Sequence, residues 1–113
     1  MRSLEEMQKA IADFCRERDW DQFHNGKDLA IGISTEANEL LDLFRFKSPE
    51  EALAAHPEEI REEIADIFFF LLRFAERNHI DLDEALKEKM EKNSRKYPVE
   101  KARGSNKKYN EFE

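Results

Sequence analysis

The chain has 113 residues, of which 26 are acidic and 19 basic, giving a formal charge of −7; such a length holds one small domain, which buries a modest share of its surface unless copies associate. The acidic balance works against direct binding of a nucleic acid polymer, so an anionic ligand here requires an intervening cation. Charged residues make up 40% and hydrophobic ones 40%, with three Gly and three Pro, a balance that makes an all-α domain with wet and dry helix faces the default.

Met1 to Lys9 holds no long apolar run, so no secretory signal is expected. Ser3 with Glu6 forms the pattern of a capping box, and Leu4, Met7, Ile11, Phe14 and Cys15 then repeat with helical spacing to about Arg18. The single Cys15 can form no internal disulfide, and on this apolar face it is a small buried hydrophobe. From Asp19 to Lys27 the periodicity is lost and Gly26 marks a loop, which nonetheless carries Trp20, Phe23 and His24.

Leu29, Ile33, Ala37, Leu40, Leu41 and Phe44 define a second helix from Asp28 to about Arg45. Ser48-Pro49-Glu50-Glu51 then starts a short helix that ends before Pro57. A third long helix is expected from about Glu58 to Asn78. Its middle, Ile67 to Leu72, is apolar on every side, which predicts a place at the centre of an assembly, and it is too short to cross a membrane. A cytoplasmic protein with no membrane partner is expected. Asp81 to Glu84 opens a fourth helix through Leu82, Ala85, Leu86, Met90 and Asn93 to about Lys96, where Pro98 ends it. The expected organisation is one domain over residues 1–98, a four-helix bundle with a short extra helix, followed by a partly mobile tail over 99–113.

Two acid pairs carry the chemistry. Glu36 and Glu39 are three residues apart, as are Glu63 and Asp66, so each pair projects from one side of its helix. Ile33, Ala37 and Leu40 bracket the first pair, and Ile64, Ile67 and Phe70 the second, so the carboxylates sit among core positions where unpaired charge is strongly unfavourable. A hard divalent cation resolves this, since Mg²⁺ prefers carboxylate oxygens and lets substrate phosphates complete its shell. Metal-assisted hydrolysis of a phosphoanhydride follows, with one glutamate as the base. Spacing alone also allows a plain solvated surface, as for Glu58, Glu59 and Glu62 at the helix start, although Glu59 shares the face of Glu63 and Asp66. Glu76 and His79 have the spacing of a di-iron motif, but such bundles need two of these motifs and this chain has one, at a helix end.

Glu36-Ala37-Asn38-Glu39 followed by Glu63-Ile64-Ala65-Asp66, with Lys89, Asn93, Lys96, Tyr97 and Pro98 beyond, resembles the signature of the MazG-type nucleotide pyrophosphohydrolases. The loop from Arg18 to His24 is similar to the small single-domain branch that includes the dCTP pyrophosphatases, and the resemblance covers roughly residues 3–104. It implies an all-α bundle assembled as a homodimer or homotetramer, with active sites between subunits. It further implies Mg²⁺, or Mn²⁺ as a substitute, on Glu36, Glu39, Glu63 and Asp66, and phosphate or sugar contacts from Lys89 and Asn93, with Lys96 and Tyr97 beside them. Trp20 and His24 would lie against the base, and Phe46 stands where relatives often carry tryptophan. Phe70 replaces a tyrosine found in several dCTP-preferring relatives, which removes one hydrogen bond from the pocket and loosens base selection. On the residues alone, Trp20 reads equally as an anchor plugging the loop into the core.

The implied activity is hydrolysis of a nucleoside triphosphate to the monophosphate and pyrophosphate, with pyrimidine deoxynucleotides such as dCTP, or damaged ones, as first candidates. A regulatory helical protein that binds a nucleotide without turnover is the alternative. Acids at all four metal positions favour the enzyme.

Overall fold

The computed structural model describes residues 1–112; Glu113, the end of the predicted tail, lies outside the described residues. Six α-helices follow one another, α1 (Leu4–Glu17), α2 (Gly26–Asp42), α3 (Pro49–Ala55), α4 (Pro57–Arg77), α5 (Leu82–Lys96) and α6 (Val99–Ala102), with a 3-10 turn at Tyr109–Glu111 and no strand among the described residues. None of these helices is long and apolar enough to cross a membrane.

Local chemistry sets the helix starts. At α1 the Glu6 amide donates to Ser3 Oγ at 3.1 Å and the Ser3 amide to Glu6 Oε1 at 3.2 Å, a reciprocal cap repeated at α3 by Ser48 and Glu51. At α5 only half of such a box forms, Asp81 Oδ1 accepting from the Glu84 amide at 3.0 Å. Helix α2 begins at Gly26, earlier than the apolar periodicity indicates, because Asn25 Oδ1 accepts from the Asp28 amide at 2.8 Å and fixes the start there. Its end comes at Asp42, short of Arg45, where the amides of Leu43, Phe44 and Arg45 shift to carbonyls three residues back and Phe46 takes a left-handed φ of 61°.

The chain divides into two compact units, Met1–His79 and the segment from Ile80 onward. In the first, α2 and α4 pack along one another, with α1 and α3 against α4. Gly32 makes the α2–α4 approach possible, since a Cβ there would stand 2.8 Å from the Phe70 ring. The core is thin: Cys15, Leu29, Ala52, Leu72 and Ala75 are its fully buried apolar residues. Helix α4 turns Leu72 inward while Ile64, Phe68 and Leu71 remain 52%, 42% and 42% exposed. Their spacing puts them on one outward stripe. A groove of about 380 Å³ beside it is lined by Met7, Ile11 and Phe14 of α1 and by Ala65 and Phe68 of α4.

The second unit holds α5, α6 and the 3-10 turn. Helix α5 has no fully buried residue, and Leu86 and Met90, which carry its apolar periodicity, are each 61% exposed. The residues after Pro98 are organised on the end of α5: Tyr97 packs edge-on against Tyr109 and Phe112, at centroid distances of 6.2 and 5.8 Å, and the Lys96 ammonium lies 4.7 Å over the Tyr109 ring. The division between units falls after His79, because α5 packs with the segment that follows it.

Candidate active site

The first acid pair projects from α2 and the second from α4, the two helices that Gly32 lets approach closely. Glu36, Glu39 and Glu63 each place a carboxylate oxygen within 4.8 Å of the others. Glu36 Oε2 and Glu63 Oε2 are buried and have no hydrogen-bond partner. Two acceptor-only oxygens held together in this way are unfavourable unless a proton or a cation stands between them. Without a metal, the closeness of Glu63, burial, and the neighbouring Glu39 and Asp66 favour the protonated form of Glu36 and push its carboxyl up to about 7. An all-oxygen donor set with orphaned buried oxygens fits a hard divalent cation.

Asp66, the fourth acid of the pattern, stands outside the three-oxygen cluster and is exposed, though its charge still reaches Glu36. Glu59 is taken up elsewhere, its Oε2 lying 2.7 Å from His56 Nδ1. Glu76 is committed to Arg73, and His79 lies beyond the end of α4 with a φ of 56°, so the two form no metal pair.

The aromatic residues form a connected row. Phe70, one turn past Asp66, meets Phe69 edge-on at 5.6 Å; Phe69 meets Phe14 at 6.1 Å; Phe14 meets Trp20 at 5.6 Å; and Trp20 lies 6.0 Å from the His24 ring. Trp20 is thus seated by one edge while remaining over a third exposed, compatible with both an anchor and a stacking platform. Phe46 stands apart. It is 91% exposed and touches the Arg45 guanidinium, 4.9 Å from its ring centroid, and a left-handed backbone at a bulky residue is uncommon enough to suggest a task beyond packing. Lys89 and Asn93 lie one turn apart on α5 in the second unit, Lys89 exposed and Asn93 half-buried, while Lys96 and Tyr97 are engaged with Tyr109.

Sequence reasoning passed over Arg73. It is 1% exposed, and every nitrogen of its guanidinium is used: Nε donates to His24 Nδ1 at 3.0 Å, one terminal nitrogen to Glu76 at 2.9 Å, and the other to Asp21. Arg77 adds bonds to the carbonyl oxygens of Asp21 and His24, at 3.1 and 3.4 Å. Together they fasten the Trp20–His24 loop to the end of α4. The available signal was a lone arginine directly after the apolar run from Ile67 to Leu72. A charge in such a place requires partners.

Comparison with known proteins agrees with this architecture. The model of the MazG-like family matches residues 31–112. The chain is 39% identical over 115 residues to dCTP pyrophosphatase 1 of Rattus norvegicus, spanning 97% of this chain and 68% of that one. The human protein of the same name is 36% identical over 120 residues, with the same coverage. A pyrophosphatase crystal structure from Archaeoglobus fulgidus superposes with a TM-score of 0.81 at 39% identity, covering 87% of this chain and 94% of the other. The chain belongs to the MazG-like family and is a hydrolase of the pyrophosphatase class.

Proposed function

We propose that this protein hydrolyses nucleoside triphosphates to the monophosphate and pyrophosphate in the cytoplasm, with pyrimidine deoxynucleotides such as dCTP as leading substrates. The observation that carries the reading is the convergence of Glu36, Glu39 and Glu63 with two orphaned buried oxygens, on a chain whose relatives are named as dCTP pyrophosphatases. Mg²⁺, with Mn²⁺ as a substitute, is the proposed cation, and Asp66 joins the three glutamates as its ligand. The ion would supply charge neutralisation to the triphosphate and a water acidic enough to become a nucleophile.

The chain's own residues do the rest. One of the clustered glutamates is the candidate for accepting the proton of the attacking water. Lys89 contributes a compact positive charge and Asn93 an amide donor to phosphate or sugar oxygens. Trp20 stacks on the base, His24 hydrogen-bonds its edge, and Phe70 closes the pocket from α4, while Phe46 reaches outward to complete a site on another copy. Lys96 and Tyr97 hold the segment after α5 beside the phosphate residues. The Ile64–Phe68–Leu71 stripe is the proposed meeting surface of the homo-oligomer, since a contiguous exposed apolar stripe on a thin-cored protomer favours association.

The test is product analysis after incubation of a panel of ribo- and deoxynucleoside triphosphates with Mg²⁺, resolved by chromatography. Monophosphate with pyrophosphate is expected, with the pyrimidine deoxynucleotides turned over best. Diphosphate with orthophosphate, or no product from any member, overturns the reading.

A further inference from the structure

A guanidinium Nε carries its hydrogen at every accessible pH, so the 3.0 Å contact from Arg73 Nε makes His24 Nδ1 an acceptor. The ring proton of neutral His24 must then reside on Nε2. Among the described residues Nε2 has no hydrogen-bond partner, and unlike the orphaned carboxylate oxygens it is not fully buried. Arg73 in turn is fixed by Asp21 and Glu76 and is almost wholly buried, which gives the ring a rigid support rather than a mobile surface contact.

We propose that Arg73 is the positioning residue of the base subsite, holding His24 in the Nε2–H tautomer so that the ring offers the nucleobase a single donor, for a carbonyl oxygen or an unprotonated ring nitrogen. The inference rests on the reading of Trp20 and His24 as base contacts. Its chemical content is directional: an Nε2–H ring cannot accept from an exocyclic amine through that atom. Burial and the flanking Arg73 and Arg77 charges lower the His24 proton affinity, with Asp21 opposing them, so the ring stays neutral to lower pH than an ordinary imidazole. Glu76 faces Arg73 rather than the ring. The donor is therefore constant across the neutral range.

Two measurements on the full chain test this. In a long-range ¹H–¹⁵N spectrum, with His24 assigned by loss of its signals in His24→Gln, a single Nε2–H tautomer of the neutral ring is expected, protonating at lower pH than an ordinary imidazole. An Nδ1–H ring, or a mixture of the two tautomers, overturns the proposal. In Arg73→Lys the charge remains but the directed Nε donor is lost. Mixed tautomers are expected, with KM raised several-fold, kcat held within about twofold, inhibition by nucleoside monophosphate weakened and inhibition by pyrophosphate unchanged. Asp21→Asn, which loosens Arg73 more gently, should shift the same quantities in the same direction if the lysine variant does not fold. Unmoved KM in a folded variant, or equal weakening of monophosphate and pyrophosphate, removes the assignment. A wild type that binds and turns over no nucleotide overturns the base-contact reading itself, while its spectrum separately reports whether Arg73 holds the tautomer.

Discussion

Glu36 has the least comfortable charge in the molecule. Its neighbours Glu63, Glu39 and Asp66 all disfavour its ionisation and raise its carboxyl to about 7 from 4.5. In the unfolded chain that acid has an ordinary value, so between about pH 4.5 and 7 the folded state binds more protons than the unfolded one, and stability falls as pH rises. Metal-free protein is therefore expected to melt at lower temperature at pH 8 than at about pH 5 on account of this group. A divalent cation bound only by the folded state reverses the trend, since it competes with the proton and binds best once Glu36 is ionised. Mg²⁺ should thus raise the melting temperature more above about pH 7 than below it, and a pH-independent Mg²⁺ shift would contradict this account. Glu36→Gln keeps the shape and removes the titration: its metal-free melting temperature should vary less with pH, while turnover falls at least about 100-fold. Calorimetry and the pyrophosphate assay check both halves.

At the scale of elements, much of the chain could be read in advance because the relevant physics is local. The caps at Ser3 and Ser48 and the proline at the start of α3 lie within four residues of what they stabilise, and so do the two acid pairs. What escaped reading was set by distant partners. Arg73 contacts residues 49 and 52 positions away, and no spacing rule links it to His24 or Asp21. Asp66 carries the same i, i+3 relation to Glu63 as Glu39 does to Glu36, yet only Glu39 joins the three-oxygen cluster, because helix rotation against the facing helix decides which prong points in. The apolar positions of α5 were legible as a face, but a face does not name what covers it. The α2–α4 pairing is the element whose failure would undo the site. Gly32→Ala puts a methyl group where the Phe70 ring lies, so a loss of about 1–3 kcal/mol is expected in denaturant unfolding, and restoration by the paired change Phe70→Leu would identify the clash as the cause.

At the scale of the whole molecule, the proposed association rests on the small set of fully buried apolar residues and the exposed Ile64–Phe68–Leu71 stripe. Sedimentation of the wild type is expected to show a defined oligomer. Phe68→Glu should weaken it about tenfold or more by forcing an unpaired carboxylate into the apolar contact, with turnover per chain falling in parallel if Phe46 completes a neighbouring site. An oligomer insensitive to this substitution would place the interface on another face, and α5 with its exposed Leu86 and Met90 would be the next surface to alter.

The contact between Gly32 and the Phe70 ring lies one turn from Glu36 on α2 and one turn from Asp66 on α4. It therefore acts as a calliper on the carboxylates that face one another across the gap. Mg²⁺ holds oxygens at about 2.0–2.1 Å and Ca²⁺ at about 2.3–2.6 Å, so a few tenths of an ångström in helix separation is the scale that distinguishes the two ions. In the proposed metal site, the missing side chain on α2 would then bear on ionic radius, and a wider gap would favour the larger ion with the same acids.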